Sequence, residues 1–155
     1  MGLAEVVVSV LEAQDWPVDV EDIADGMVRT AIRTPGATFA GAAVVHDDEG
    51  QLIFYAVSPE PVPADRRVEV AELITRANAY LAIGSLELDL DAGQLRARTS
   101  LDLGAGAVPD DVVARLVDNS VRVAVVVAHH WFPAADAVVH GEATVAEAEA
   151  QASGR

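Results

Sequence analysis

Residues Pro63–Leu103 read PADRRVEVAELITRANAYLAIGSLELDLDAGQLRARTSLDL, and their reading decides the fold: one helix, then one tight hairpin. In the helix Asp65 is placed to act as N-cap, accepting from N–H groups that the first turn leaves unpaired. Val70, Leu73, Ile74, Ala77 and Leu81 recur at three- and four-residue steps and form one apolar stripe. Glu69, Glu72 and Arg76 fall outside it, with Glu72 and Arg76 in the favourable i,i+4 order. Gly84 follows the last apolar turn, where a residue free to take positive φ commonly ends a helix. Asn78 loses to alanine on helix propensity, so its amide is expected to hydrogen-bond the turn or strand that follows, or else to meet a partner.

The hairpin takes its register from its charges. With Ala92-Gly93 as a two-residue turn, Asp89 faces Arg96 and Glu87 faces Arg98 on one side. Leu90 then pairs with Leu95, Leu88 with Ala97 and Leu86 with Thr99 on the other. Each opposite-charge pair contributes roughly 0.2–1 kcal/mol. A one-residue slip would turn the leucines into water, so the register is expected to be firm.

Outward from this stretch, Leu3, Val6, Val7, Val10 and Leu11 mark an amphipathic first helix that stops before Trp16-Pro17. Residues 18–25 read as a loop or a short strand. Residues 27–34 alternate, with Val28, Thr30 and Ile32 on one side and Arg29, Ala31 and Arg33 on the other. Pro35-Gly36 turns the chain into a strand over 38–46, with Phe39, Gly41, Ala43 and Val45 inward. Asp47-Asp48-Glu49-Gly50 turns it again, and residues 51–58 return with Leu52, Phe54 and Ala56 on the same side. Prolines at 59, 61 and 63 end the sheet segment.

After the hairpin, Gly104-Ala105-Gly106 is a connection and Pro109-Asp110-Asp111 opens another helix. Val113, Val117, Val121 and Val125 form one apolar row. Val112, Leu116, Val123 and Val127 form a second, which is the candidate dimer interface. The β-branched run Val121–Val127 favours a strand by propensity, but the helical pattern before it favours a helix. Residues 133–140 read as a short last helix stopped by Gly141. The expected class is α+β: an antiparallel sheet of about five strands with helices on one face, in the order α-β-β-β-α-β-β-α(-α). A single domain covers 1–141, and the Ala/Glu-rich tail 142–155 is helical or, by default, frayed.

The segments VPADRR, LITRANAYLAIGSLELDLDAG and LRARTSLDL resemble the YbjN family, described as bacterial sensory-transduction regulators with a type III secretion chaperone-like fold. Asn78, Gly84 and Asp89 stand where that pattern places them, and weaker agreement runs from the first helix to Gly141. The resemblance implies a compact α/β domain that binds other proteins, often as a dimer, with no established chemistry.

Composition bounds the function. At 155 residues the chain suits one domain, able to bury roughly 70% of its unfolded surface. Its net charge is −15 and every basic residue is arginine, which argues against nucleic acid and anionic membranes as partners. The acidity either keeps the domain soluble or attracts a basic segment. No cysteine is present, so disulfides, thiolate nucleophiles and cysteine zinc sites are excluded. The start MGLAEVVVSVLEA has no basic n-region and no run spans a bilayer, so a cytoplasmic protein is expected.

Candidate chemistry is sparse. His129 and His130 point about 100° apart on a helix and cannot share a metal as an i,i+4 pair would. His46 beside Asp47, Asp48 and Glu49 could offer ligands, but turns collect such residues without metals. Asp89-x-Asp91-x-Gly93 lacks the ligands of a calcium loop, with Gly93 serving the turn instead. Gly104-x-Gly106 lacks a dinucleotide setting, and no Ser/His/Asp constellation is arguable. No catalytic residue, metal or cofactor is assigned.

Arg29, Arg33, Arg96 and Arg98 lie on the outer sheet face, where they pair across strands or form a guanidinium surface for an acidic peptide or a second subunit. The leading reading is a non-catalytic, chaperone-like or regulatory protein-binding domain, working through an apolar patch or a strand edge and forming a homodimer through the Val112–Val127 helix. The alternative is a small-molecule or enzymatic domain with a pocket between sheet and helices.

Overall fold

Alternating burial along each strand decides which layer a residue joins. Val28, Thr30 and Ile32 of β2 (Met27–Thr34) are buried, as are Phe39, Gly41, Ala43 and Val45 of β3 (Ala37–His46), and Leu52, Phe54 and Ala56 of β4 (Gln51–Val57). The computed structural model describes residues 1–19 and 25–154. Its sheet is antiparallel and six-stranded in the order β1-β2-β3-β4-β6-β5, with β1 at Val18–Asp19, β5 at Ser85–Leu88 and β6 at Leu95–Asp102. The strand beyond the five expected is β1, which pairs Val18 with Thr30. The rest of the loop-or-strand segment, 20–24, lies outside the described residues.

All the helices that touch the sheet do so from one side. α1 (Leu3–Glu12) packs on β2 and β3, α3 (Asp110–Val139) on β4 and β6, and α2 (Arg67–Asn78) on β5. Phe54, Leu73, Leu95, Val117 and Val121 are fully covered between these layers. Each such side chain contributes roughly 1.5–3 kcal/mol. The run Val121–Val127 is helical, because Val121, Ala124 and Val127 reach the core at helical spacing.

Four expectations are corrected. α2 is preceded by a tight turn over Ala64–Arg66, closed by the Arg66 N–H to the Pro63 carbonyl at 2.9 Å, so Asp65 is not its N-cap. Arg66 pairs with Glu69 at 2.8 Å there instead. Gly84 does not end that helix, whose last residue is Asn78. It takes φ +80° on entry to β5, where an added Cβ would lie 3.3 Å from the Arg98 carbonyl and 3.4 Å from Val123.

Residues 133–140 are not a separate helix, since α3 runs through Pro133. A mid-helix proline costs roughly 3 kcal/mol. Trp131, Phe132 and Val138, all buried around it, together outweigh that. Phe132 also meets Phe39 edge-on, with centroids 5.4 Å apart.

The tail is packed rather than frayed. Thr144 and Glu147 form a capping box that opens α4 (Val145–Ser153). Ala148 is buried, and Glu149 accepts from the Tyr80 hydroxyl at 2.7 Å and pairs with Arg76 at 3.2 Å. α4 thereby lies on α2 and α3, away from the sheet.

Candidate functional site: the uncovered face of the sheet

With the helices on one side, the other side of the sheet has no cover among the described residues. Its central strands do not present polar groups there. β4 turns Ile53, Tyr55 and Val57 outward, β3 turns Ala40, Ala42 and Val44 outward, and β2 adds Ala31. These side chains are half-buried or exposed, and none belongs to the core or packs against it. A one-sided antiparallel sheet ordinarily alternates apolar-in with polar-out. Here the centre of the outer face is apolar instead, and contiguous apolar surface of this kind marks interaction sites.

The four arginines flank this centre. Arg29 and Arg33 lie on β2 and are exposed, while Arg96 and Arg98 lie on β6 and are half-buried. One cross-strand row runs Arg29, Ala42, Tyr55, Arg98. Three strand spacings separate its ends, roughly 14 Å, so the arginines form two borders rather than one cluster. The Arg96 guanidinium sits 5.0 Å from the Tyr55 ring centroid, in cation–π range.

The charge pairing on β5 and β6 differs from the expected one. Leu86 pairs with Ala97, Leu88 with Leu95 and Glu87 with Arg96, a shift of two positions. Glu87 lies 3.4 Å from both Arg96 and Arg98. Asp89 leaves the ladder and turns the chain: its carboxylate accepts from the N–H groups of Asp91 and Ala92, each at 2.9 Å. Arg67 donates to the carbonyls of Leu90 and Asp91. Leu90, expected inward, is therefore 60% exposed. A two-residue slip keeps the same side chains on the same face, so Leu86 stays buried and Glu87 stays out.

Donation from Ala92 and then Asp91, helped by Arg96 and Arg67, holds the Asp89 carboxyl below the usual carboxylate range. A depressed carboxylate stabilises above its unfolded value, about 3.9, and that stability is lost as pH falls through the folded value. Hydrogen-exchange protection of the Asp91 and Ala92 amides should therefore hold at neutral pH and drop only in acid below about pH 4. Protection lost already near pH 6 would contradict the Asp89 turn.

The β5 edge of the sheet is closed to strand addition at its middle. The Asn78 side chain donates to the Leu86 carbonyl at 3.1 Å and accepts its N–H at 2.8 Å, occupying the outward-facing backbone groups. Of the two routes expected for partner binding, the face is open and this edge is blocked.

The α3 row expected to carry a dimer is not an exposed stripe. Val127 is 5% exposed in its own chain, Val123 packs against the core, and Val112 is half-buried. Leu116, 38% exposed, is separated along the outer side of the helix from Val126 by Asn119 and Arg122.

The histidines do not assemble a site. His46 and His129 are exposed, His130 contacts the Ala152 carbonyl, and His140 lies 2.8 Å from the Asp136 carbonyl. Among the described residues no cluster of histidine and carboxylate groups is arranged to hold a metal. A hollow of about 670 Å³ opens at the start of α1 and is walled by Asp47, Asp48, Glu49, Asp102 and Asp110. Asp47 is committed there to the Leu3 N–H at 2.6 Å. It is an open acidic notch, not a pocket between sheet and helices.

A family model named YbjN, with the description "Putative bacterial sensory transduction regulator", matches residues 3–142. No curated protein matches the chain significantly. Among solved structures, "YbjN, a putative transcription regulator from E. coli" is 15% identical, with 88% of this chain and 92% of that chain covered and a TM-score of 0.57. At that identity the likeness shows the fold. No helix among the described residues is long and apolar enough to cross a membrane.

Proposed function

The chain belongs to the YbjN family, and from that premise we propose a non-catalytic regulatory protein that holds a segment of another protein on the outer face of its sheet. The observation that carries the reading is the apolar centre formed by Ala42, Val44, Ile53, Tyr55 and Val57, which the four helices leave bare. A solvated sheet face has no reason to be apolar at this density, because every such side chain gains by burial, roughly 25 cal/mol per Å². The family description, a regulator of sensory transduction, supports an activity exerted through a protein partner. The chaperone-like aspect is the same act: keeping an apolar segment of another chain out of water.

A photo-crosslinking residue tests this by position. Placed at Ile53, in the middle of the face, it should give a protein adduct in cells. Placed at Asn119, on the outer side of α3, it should give none. Equal yields from both positions, or no adduct from position 53, would remove the sheet face from the reading.

A further inference from the structure

Building on that reading, we infer that the occupant of the face is a short acidic segment of a different protein, extended, with apolar residues at alternate positions. The shape of the surface points to an extended chain. Ala31, Ala40 and Ala42 are small and adjacent across β2 and β3, while Ile53, Tyr55 and Val57 stand taller on β4. The result is a shallow trough along the strands, floored by alanines and walled on one side by the large residues of β4. A strand-like segment laid along it directs successive side chains to opposite sides. One set rests on the alanine floor, and the other turns away from it, where side chains as long as those of Arg29 and Arg33, on either side of Ala31, extend to meet it.

The charge of the face points to acid. Among the described residues it carries four arginines against three carboxylates, Asp19, Glu87 and Asp102, in a chain whose net charge is −15. Glu87 is already shared by Arg96 and Arg98. Guanidinium groups match carboxylates in planar, two-point geometry. Beyond roughly 8 Å the negative remainder of the molecule is screened at physiological salt, so a short acidic segment at contact feels the arginines first. In a second copy the charges at contact are the same arginine borders, and a two-fold stack sets them against one another. The face selects against self.

The test uses the full chain with the crosslinker at position 53, in cells, with mass spectrometry of the adduct. The expected result is attachment to another protein, through a segment of net negative charge. Arg33→Glu should cut the yield roughly tenfold, the size of one lost charge-assisted contact. Arg33 is exposed, so that reversal leaves the packing intact. In lysate, a ten-residue peptide alternating valine and glutamate should compete, and one alternating valine and lysine should not. An adduct of twice the chain's mass would place a second copy on the face and overturn the inference. So would an adduct with another protein whose yield ignores both Arg33→Glu and the acidic peptide, and in that case the reading of the face as a binding surface survives. No adduct at all removes that reading itself.

Discussion

Replacing Gly93 by alanine should cost about 3 kcal/mol or more of folding stability, although the residue lies in a loop. Two effects add. Gly93 sits at φ +77°, a conformation that costs a side-chain-bearing residue roughly 1–2 kcal/mol. The added Cβ would also lie 2.3 Å from the Val62 carbonyl oxygen and 3.0 Å from the Arg67 guanidinium. That carbonyl cannot retreat freely. Val62 donates its own N–H to the Gly93 carbonyl at 2.8 Å, and its oxygen accepts from Arg67 Nε at 3.1 Å. Relief of the clash therefore breaks the contacts that fasten the 89–94 loop to the start of α2. Gly104→Ala is the control, since Gly104 has φ +66° with nothing within 4 Å of the added Cβ. Denaturant titration of both variants separates the terms: Gly104→Ala should lose only the backbone part. Equal losses would mean that the Val62 clash relaxes at no cost.

That loop is also where sequence reasoning stopped short. The alternation of LELDL and LRART fixes which side chains face the core, and it holds for the paired residues but not for Leu90, which the Asp89 turn leaves exposed. It does not fix how far one strand slides along the other in steps of two, because every such slip preserves the faces. The choice is made by Asp89, whose carboxylate turns the chain early, and by Arg67, 23 residues before Leu90 in sequence, whose guanidinium holds the loop carbonyls. Contacts of that kind have no period to read.

Other features are legible in the sequence alone. The run TVAE at 144–147 is a capping-box signature that announces α4. The run LIFYAV at 52–57 is apolar on both alternations, which is how a strand with two buried faces reads. The face of the arginines, by contrast, is legible in the sequence, but their arrangement is not. Alternation puts Arg29 and Arg98 on one side of a sheet, while only the strand order puts β3 and β4 between them.

Substituting Asn78 by alanine should lower stability by roughly 1–2 kcal/mol and, in addition, make the protein self-associate. The first effect follows from the loss of two hydrogen bonds to the Leu86 backbone, at 3.1 and 2.8 Å, each worth roughly 0.5–1.5 kcal/mol and partly replaced by water at this half-open site. The second follows from where they are. β5 is the last strand of the sheet, and an edge strand with free N–H and C=O groups templates pairing with another chain. The Asn78 amide offers the same donor and acceptor that a further strand would offer, so it satisfies the edge without extending the sheet. Asn78→Asp keeps the acceptor for the Leu86 N–H but cannot donate to the Leu86 carbonyl, so it should fall between wild type and alanine in denaturation midpoint. Sedimentation velocity over a range of concentrations reads the association. An unchanged midpoint in Asn78→Ala would mean that the amide is dispensable. A lowered midpoint with no concentration dependence would mean that α2 alone shields the edge, because the helix body already stands where an incoming strand would have to lie.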